Sequence, residues 1–286
     1  MIYLTMGTYH FRKPHRYKRK KSILKNRFFW LGILIFVFLS SVFYFLFFSQ
    51  TFQVEKIIVL RQTQDNPELV EWVAVGEKKV SIDELKSLIE KNLGNKILSF
   101  DTKSIFLVNL NGLRKNILND FPQIAGVEIK RKFPDTLDFI VTERAGIAHL
   151  CQGEKCFFSD KEGIIFEEIP STTEGLIKIV DEQNREPFKS GEKAIEKEDL
   201  SKILAVSSKL SDFKIPVKEF LIVSGEKMEV LTSEDWKIYL SLRADIDWQM
   251  TKLRAVLEEK IPPESRKDLE YIELRFGNLA PFKYKD

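Results

Sequence analysis

The chain has 286 residues, with 45 Lys and Arg against 42 Asp and Glu, a formal charge of +3. That near-neutral sum hides two opposite parts: residues 1–27 carry nine basic groups and no acid, and the remainder is net −6, with 36 basic against 42 acidic residues. The uncharged run 28–48, which holds ten of the 34 aromatics, excludes a simple soluble domain, and the lack of a second such run excludes a multi-span transporter or channel.

Taken as a helix, 28–48 is about 31 Å long and matches a hydrocarbon core of about 30 Å. Trp30 and Tyr44 lie near its ends, where amphipathic rings favour the interface. Residues 12–27, RKPHRYKRKKSILKNR, are strongly basic, whereas Lys56 and Arg61 are the basic residues of 49–63. The positive-inside bias therefore predicts a cytoplasmic N-terminus, with everything after the span on the other side. A cleaved signal peptide has a shorter apolar core and small residues at its cleavage site, while SQTFQ after this span offers bulky Phe48 and Phe52 instead. A basic tail directly before a span reads as a topology signal touching anionic lipid rather than as a nucleic-acid arm.

Beyond the span, FQVEKIIVL (52–60) predicts a strand, followed by a long polar connection over 61–79 with a hairpin near 73–75. Ser81-Ile-Asp-Glu84 is a capping-box pattern. Behind it Leu85, Leu88, Ile89 and Leu93 recur at helical spacing, and Gly94 predicts the stop. A second helix is predicted over 111–119, with Leu113, Ile117 and Leu118 inward. Two alternating strands follow. Val127, Ile129 and Arg131 share one face against Glu128, Lys130 and Lys132; after Pro134, Leu137, Phe139 and Val141 share another. The predicted order over 52–144 is β-α-α-β-β, a small α+β domain.

Residues 145–286 form a second, β-rich α+β unit. Cys151 and Cys156 bracket the turn QGEK. A disulfide suits an oxidising compartment, free buried thiols are the alternative, and a metal lacks ligands because His149 alone stands nearby. A turn at 160–163 leads into a strand at 164–167. A helix over 198–213 is amphipathic through Leu200, Ile203, Leu204 and Leu210. Strands are predicted at 217–223, 228–231 and 236–242. A helix over 245–259 carries Ile246, Met250, Leu253 and Leu257 on one face. In EYIELRF (270–276), alternation turns Ile272, Leu274 and Phe276 inward and Tyr271, Glu273 and Arg275 outward.

The layout then resembles the bacterial division protein family FtsQ/DivIB: a basic tail (1–27), one transmembrane helix (28–48), a POTRA domain (52–144) and a β-rich C-terminal domain (145–286). The strongest match is FPQIAGVEIKRKFPDTLDFIVTERAGIAHL, which carries Pro122, Ile124, Val127, Arg131, Pro134, Leu137, Val141, Glu143 and Arg144 in the family order. Asp160-Lys-Glu-Gly163-Ile-Ile-Phe166 is similar to the family's D-x-x-G-x-x-F turn, and Tyr271-Ile-Glu-Leu-Arg-Phe276 to its closing strand, with Glu273 where the family often has Asp. The connections over 61–79 and 94–110 are longer than the family's.

The resemblance implies a cytoplasmic-membrane scaffold at the division septum. It would bind FtsB/FtsL-type bitopic division proteins and help control septal peptidoglycan synthesis, with septal peptidoglycan synthases as further partners. The implied partner surface is the last strand, acting by strand addition at a sheet edge, with Tyr271, Glu273, Arg275, Gly277 and Phe282 as its residues. Glu143 and Arg144 are read as a domain junction, and the strand they close as a second docking edge.

No catalytic, cofactor or metal residues are assigned. His149 is the one histidine after residue 27, so a Ser-His-Asp set has no other base. Ser-x-x-Lys occurs at Ser22, Ser190, Ser211 and Ser224, and Lys189-Ser190-Gly191 mimics a transpeptidase motif, yet the companion Ser-x-Asn is absent. The competing classes are an anchored POTRA protein of secretion or envelope assembly and a membrane-anchored wall hydrolase.

Overall fold

A computed structural model describes residues 27–63, 70–71, 81–97, 100–169, 175–184 and 186–285. The basic tail up to residue 26 and the hairpin predicted near 73–75 lie outside the described residues.

Helix α1 spans Arg27–Phe48, 22 residues with no side chain buried against the rest of the molecule. It is long and apolar enough to cross a membrane. A one-turn 3-10 helix, Gln50–Phe52, follows it. The first strand therefore begins later than its β-branched run suggests: β1 is Lys56–Thr63, displaced into the stretch read as a polar connection.

The first unit is a sheet in the order β2-β1-β6-β5. It comprises β1, β2 (Val70–Glu71), β5 (Ile124–Lys132) and β6 (Thr136–Glu143). β1 lies parallel to β6, and β6 is antiparallel to β5. One face carries helices α2 (Ile82–Leu93) and α3 (Leu110–Asp120). Ser81 caps α2 by accepting a hydrogen bond from the Glu84 N–H, and Asn109 caps α3 through Gly112. Gly94 ends α2 with φ −67°, so no left-handed cap forms there and the chain runs straight into the hairpin of β3 (Asn95–Ile97) and β4 (Phe100–Thr102). The core is what the two periodicities prescribe: Leu85, Ile89 and Leu93, Leu113 and Ile117, and Leu137, Phe139 and Val141 are all buried. Burying each such side chain contributes about 1.5–3 kcal/mol.

The second unit is one nine-stranded sheet in the order β15-β14-β13-β12-β11-β10-β7-β8-β9. On one side of β10 (Ile177–Asp181) stand β7 (Ala148–Gln152), β8 (Lys155–Ser159) and β9 (Ile165–Ile169). On the other side stand β11 (Val217–Ser224), β12 (Lys227–Thr232), β13 (Lys237–Leu240), β14 (Leu269–Glu273) and β15 (Phe282–Tyr284). Helices α4 (Lys197–Asp212) and α5 (Ile246–Glu259) pack on it over a core centred on Trp236 and Phe220. Cys151 and Cys156 face each other across the β7–β8 hairpin and are joined by a disulfide.

Candidate functional site

The two ends of the nine-stranded sheet differ. At the β9 end, the segment after Pro187 folds back on the strand: Gly191 N–H donates to the Ile165 carbonyl, Ile165 N–H to Glu192, and the Ser190 hydroxyl to the Phe166 carbonyl at 2.5 Å. That hydrogen bond is where Ser190 is engaged, while Lys193 pairs with Glu196.

At the other end β14 is not the edge strand. It lies between β13, parallel, and β15, antiparallel. The edge is β15, three residues after a loop that begins at Leu274. Glu273 N–H donates to the Pro281 carbonyl and Lys285 N–H to the Asp268 carbonyl, so these two groups turn toward β14. Alternation along the strand then turns the N–H groups of Phe282 and Tyr284 outward.

The side chains sort differently from simple alternation. Tyr271 is half-buried and lies against Tyr239 of β13, with ring centres 5.3 Å apart and planes tilted by 40°. Glu273, read as outward, is buried. Its carboxylate accepts two hydrogen bonds from the Arg275 guanidinium, at 2.9 and 2.6 Å, and one from the Arg275 N–H at 3.1 Å. The bidentate pair holds Arg275 above the ordinary guanidinium range, the Glu273 hydrogen bonds outweighing burial. Ile272 and Leu274 are buried as alternation requires. Phe276, read as inward, is 56% exposed. The strand has ended by then, and period 2 no longer governs.

What shapes the loop is α5. Asp245 caps it by accepting from Trp248 N–H, and Gln249 pins it to the end of β13 through two hydrogen bonds with the Ser241 backbone, of 2.9 and 2.8 Å. One turn on, Lys252 is buried beneath the loop. Its ammonium donates to the carbonyls of Leu274 at 2.6 Å, Gly277 at 2.9 Å and Leu279 at 3.2 Å. Burial pushes Lys252 below the usual lysine range, partly offset by the Glu273 carboxylate. The Trp248 indole N–H also donates to Gly277, whose φ of +34° suits a residue without Cβ. Leu279 of the loop is 70% exposed, and Trp248 of α5 is 46% exposed. Trp248, Phe276 and Leu279 thus make an exposed apolar rim on the loop that leads into β15 and on the helix turn bonded to that loop. Sequence reasoning missed Trp248, Lys252 and Leu279, because nothing local to 245–259 marks a contact with the loop.

Neighbouring charge is fixed by Glu229, which faces Lys227 and Lys237 at 2.6 and 2.9 Å. Burial would raise its pKa, but hydrogen bonds from the two lysines outweigh that and hold it low. Lys227 also sits 4.8 Å from the centre of the Tyr239 ring.

At the junction, Glu143 and Arg144 do different things. Glu143 is buried and pairs at 2.6 Å with Arg61 of its own sheet. Arg144 reaches across, donating to the Pro122 carbonyl at 2.9 Å and to the Asp160 carboxylate at 2.5 Å. β6, which these residues close, lies between β1 and β5 and is not an edge.

With this geometry in place, residues 75–144 match the family model of the FtsQ-type POTRA domain. The chain is also similar to two proteins named cell division protein DivIB. That of Clostridium acetobutylicum is 38% identical over 84 residues, 26% of this chain and 33% of that protein. That of Clostridium tetani is 25% identical over 209 residues, 72% of this chain and 78% of that protein. The matches support the FtsQ/DivIB family. The chain matches about a third of the length of the first relative and over three quarters of the second. Within the POTRA match, residues that carried the resemblance have plain structural duties. Arg131 donates from Nε to the Ile105 carbonyl and from Nη2 to Val108, each at 2.8 Å, tying the β5–β6 hairpin to the segment before α3. Pro134 follows a cis peptide in the hairpin turn.

Proposed function

We propose that this chain is a single-span cell division scaffold of the FtsQ/DivIB kind, and that β15 accepts a strand from an FtsB/FtsL-type bitopic partner. The observation that carries the reading is the open β15 edge beside the rim of Trp248, Phe276 and Leu279. Outward N–H and C=O groups supply affinity by continuing the sheet, and flanking apolar side chains supply a desolvated anchor. Tyr271 and Arg275 flank this edge but are engaged with Tyr239 and Glu273, so they shape it more than they grip a partner. The N-terminus is cytoplasmic in this reading and both folded units lie outside, at the septum. The role is binding, with control of septal peptidoglycan synthesis exerted through the partners.

A photo-reactive residue at Tyr284 or Trp248 of the full chain, activated in membranes of the native organism, tests this. The expected adduct is with a short single-span coiled-coil division protein, and with the probe at Trp248 it is lost in a Tyr284→Pro variant that removes an outward donor. Adducts that lack such a partner, together with normal septation on depletion, would overturn the reading. A reporter enzyme fused after Asp286 tests orientation: activity confined to the cytosol would refute it.

A further inference from the structure

The outer end of α1 is built into the first domain. A helix leaves its last four carbonyls without intrahelical partners, and at a membrane boundary such groups are costly to leave bare. Here side chains beyond the helix supply partners for two of them. The Phe47 carbonyl accepts from the Thr102 hydroxyl at 2.7 Å and from the Gln53 amide at 3.1 Å. The Leu46 carbonyl accepts from the Ser104 hydroxyl at 3.2 Å. Thr102 and Ser104 are themselves buried, so the β4 end and the turn after it form a socket for the helix.

An aromatic row continues from the helix onto the domain surface. Phe47 and Phe52 both lie against Phe106, with ring centres 6.3 and 5.3 Å away. Phe106 lies 5.3 Å from Phe133 at the tip of the β5–β6 hairpin. These last two rings are 39% and 57% exposed. Exposed Lys103 and Lys132 are their near neighbours in the chain. A 22-residue helix is about 33 Å long, so Phe47 sits where the hydrocarbon of about 30 Å gives way to headgroups. Rings one and two contacts from Phe47 fall in the headgroup layer, where aromatics partition and lysine stems snorkel.

We propose that the POTRA domain is seated on the bilayer surface, with Phe106 and Phe133 inserted among the lipid headgroups and the socket around Leu46 and Phe47 fixing the domain there. The occupant of this apolar face is lipid, because the face is continuous with the span. The proposal rests on α1 crossing the membrane and holds for either orientation.

The test uses the full chain reconstituted in phosphatidylcholine–phosphatidylglycerol vesicles. Single cysteines replace Lys103, Lys132, Val37 or Lys260, and each is labelled with a fluorescent dye without reductant. Nitroxide lipids labelled near the headgroup should quench dyes at 103 and 132 at least about threefold more than at 260, as interfacial seating requires. Nitroxides deep in the acyl chains should quench the dye at 37. In a Phe106→Glu, Phe133→Glu background, the quenching at 103 and 132 should fall by about half or more. Quenching at 103 and 132 no stronger than at 260, with 37 still quenched, overturns the seating and leaves the anchor intact. Loss of quenching at 37 as well overturns both. Quenching that survives the two glutamates overturns the role of the phenylalanines.

Discussion

Arg144 of the first domain, partly buried, and Asp160 of the second form an ion pair, 2.5 Å between Nη1 and Oδ2. Asp160 is fully buried, and its other oxygen accepts from the Glu162 and Ile164 N–H groups at 2.9 and 3.0 Å. Two of the stretches that carried the family resemblance, at Glu143-Arg144 and at the 160–163 turn, therefore meet at one point. Arg144→Ala should cost about 3–5 kcal/mol by stranding a buried carboxylate. Asp160→Asn keeps an acceptor for the turn and should cost less, about 1–3 kcal/mol. Denaturant unfolding followed by tryptophan fluorescence checks both, and equal costs would contradict this division of labour.

Gly163 closes the same turn with φ +81°, and a Cβ built there would overlap the Ile195 carbonyl oxygen. Gly163 also accepts from Ala194 N–H at 2.9 Å, so that segment cannot simply withdraw. Gly163→Ala should destabilise the second domain by about 2 kcal/mol or more, through strained backbone and steric overlap together. An unchanged melting temperature would show that the 194–195 segment yields freely.

Lys252→Met keeps the apolar stem but removes the donor shared by Leu274, Gly277 and Leu279. The expected loss is about 1–3 kcal/mol, from carbonyls left without a partner. Amide exchange should quicken over 274–279 while β11 and β12 stay protected. If partner capture by β15 persists despite the loosened loop, the rim of Trp248, Phe276 and Leu279 is not the anchor.

His149 is buried on β7 with its ring against Phe158 at 5.3 Å, and burial lowers its pKa below 6.5. The unfolded chain then binds a proton more readily than the folded one. Its contribution is fully present above about pH 6.5 and declines as pH falls below that value, by at most about 1.4 kcal/mol per pH unit. His149→Gln should flatten the stability profile between pH 6.5 and the carboxylate range, as thermal unfolding at a series of pH values would record; an unaltered slope would refute it.

The domain that matches the POTRA family was legible because its signals are local. Ser81 caps α2, helical spacing places Leu85, Ile89 and Leu93, and alternation places Leu137, Phe139 and Val141. The sheet edge was not legible. FKY after Pro281 is too short and too polar to show alternation, as suits an exposed edge that must resist random pairing. Phe276 was sorted to the wrong side because the strand stops at Glu273 and its continuation is set by Lys252 from another element; Glu273 was sorted outward although Arg275, two residues on, folds back onto its carboxylate. Gly94 marked the helix end correctly, yet through extended backbone rather than a left-handed turn.

The socket formed by Thr102, Ser104 and Gln53 has a mechanical meaning. A helix whose final carbonyls are held by the domain above cannot tilt or rotate alone, and Arg144 passes that constraint to the second domain. Bilayer thickness sets the tilt of a span. Under the proposed seating, bilayer thickness also bears on the direction in which the β15 edge faces.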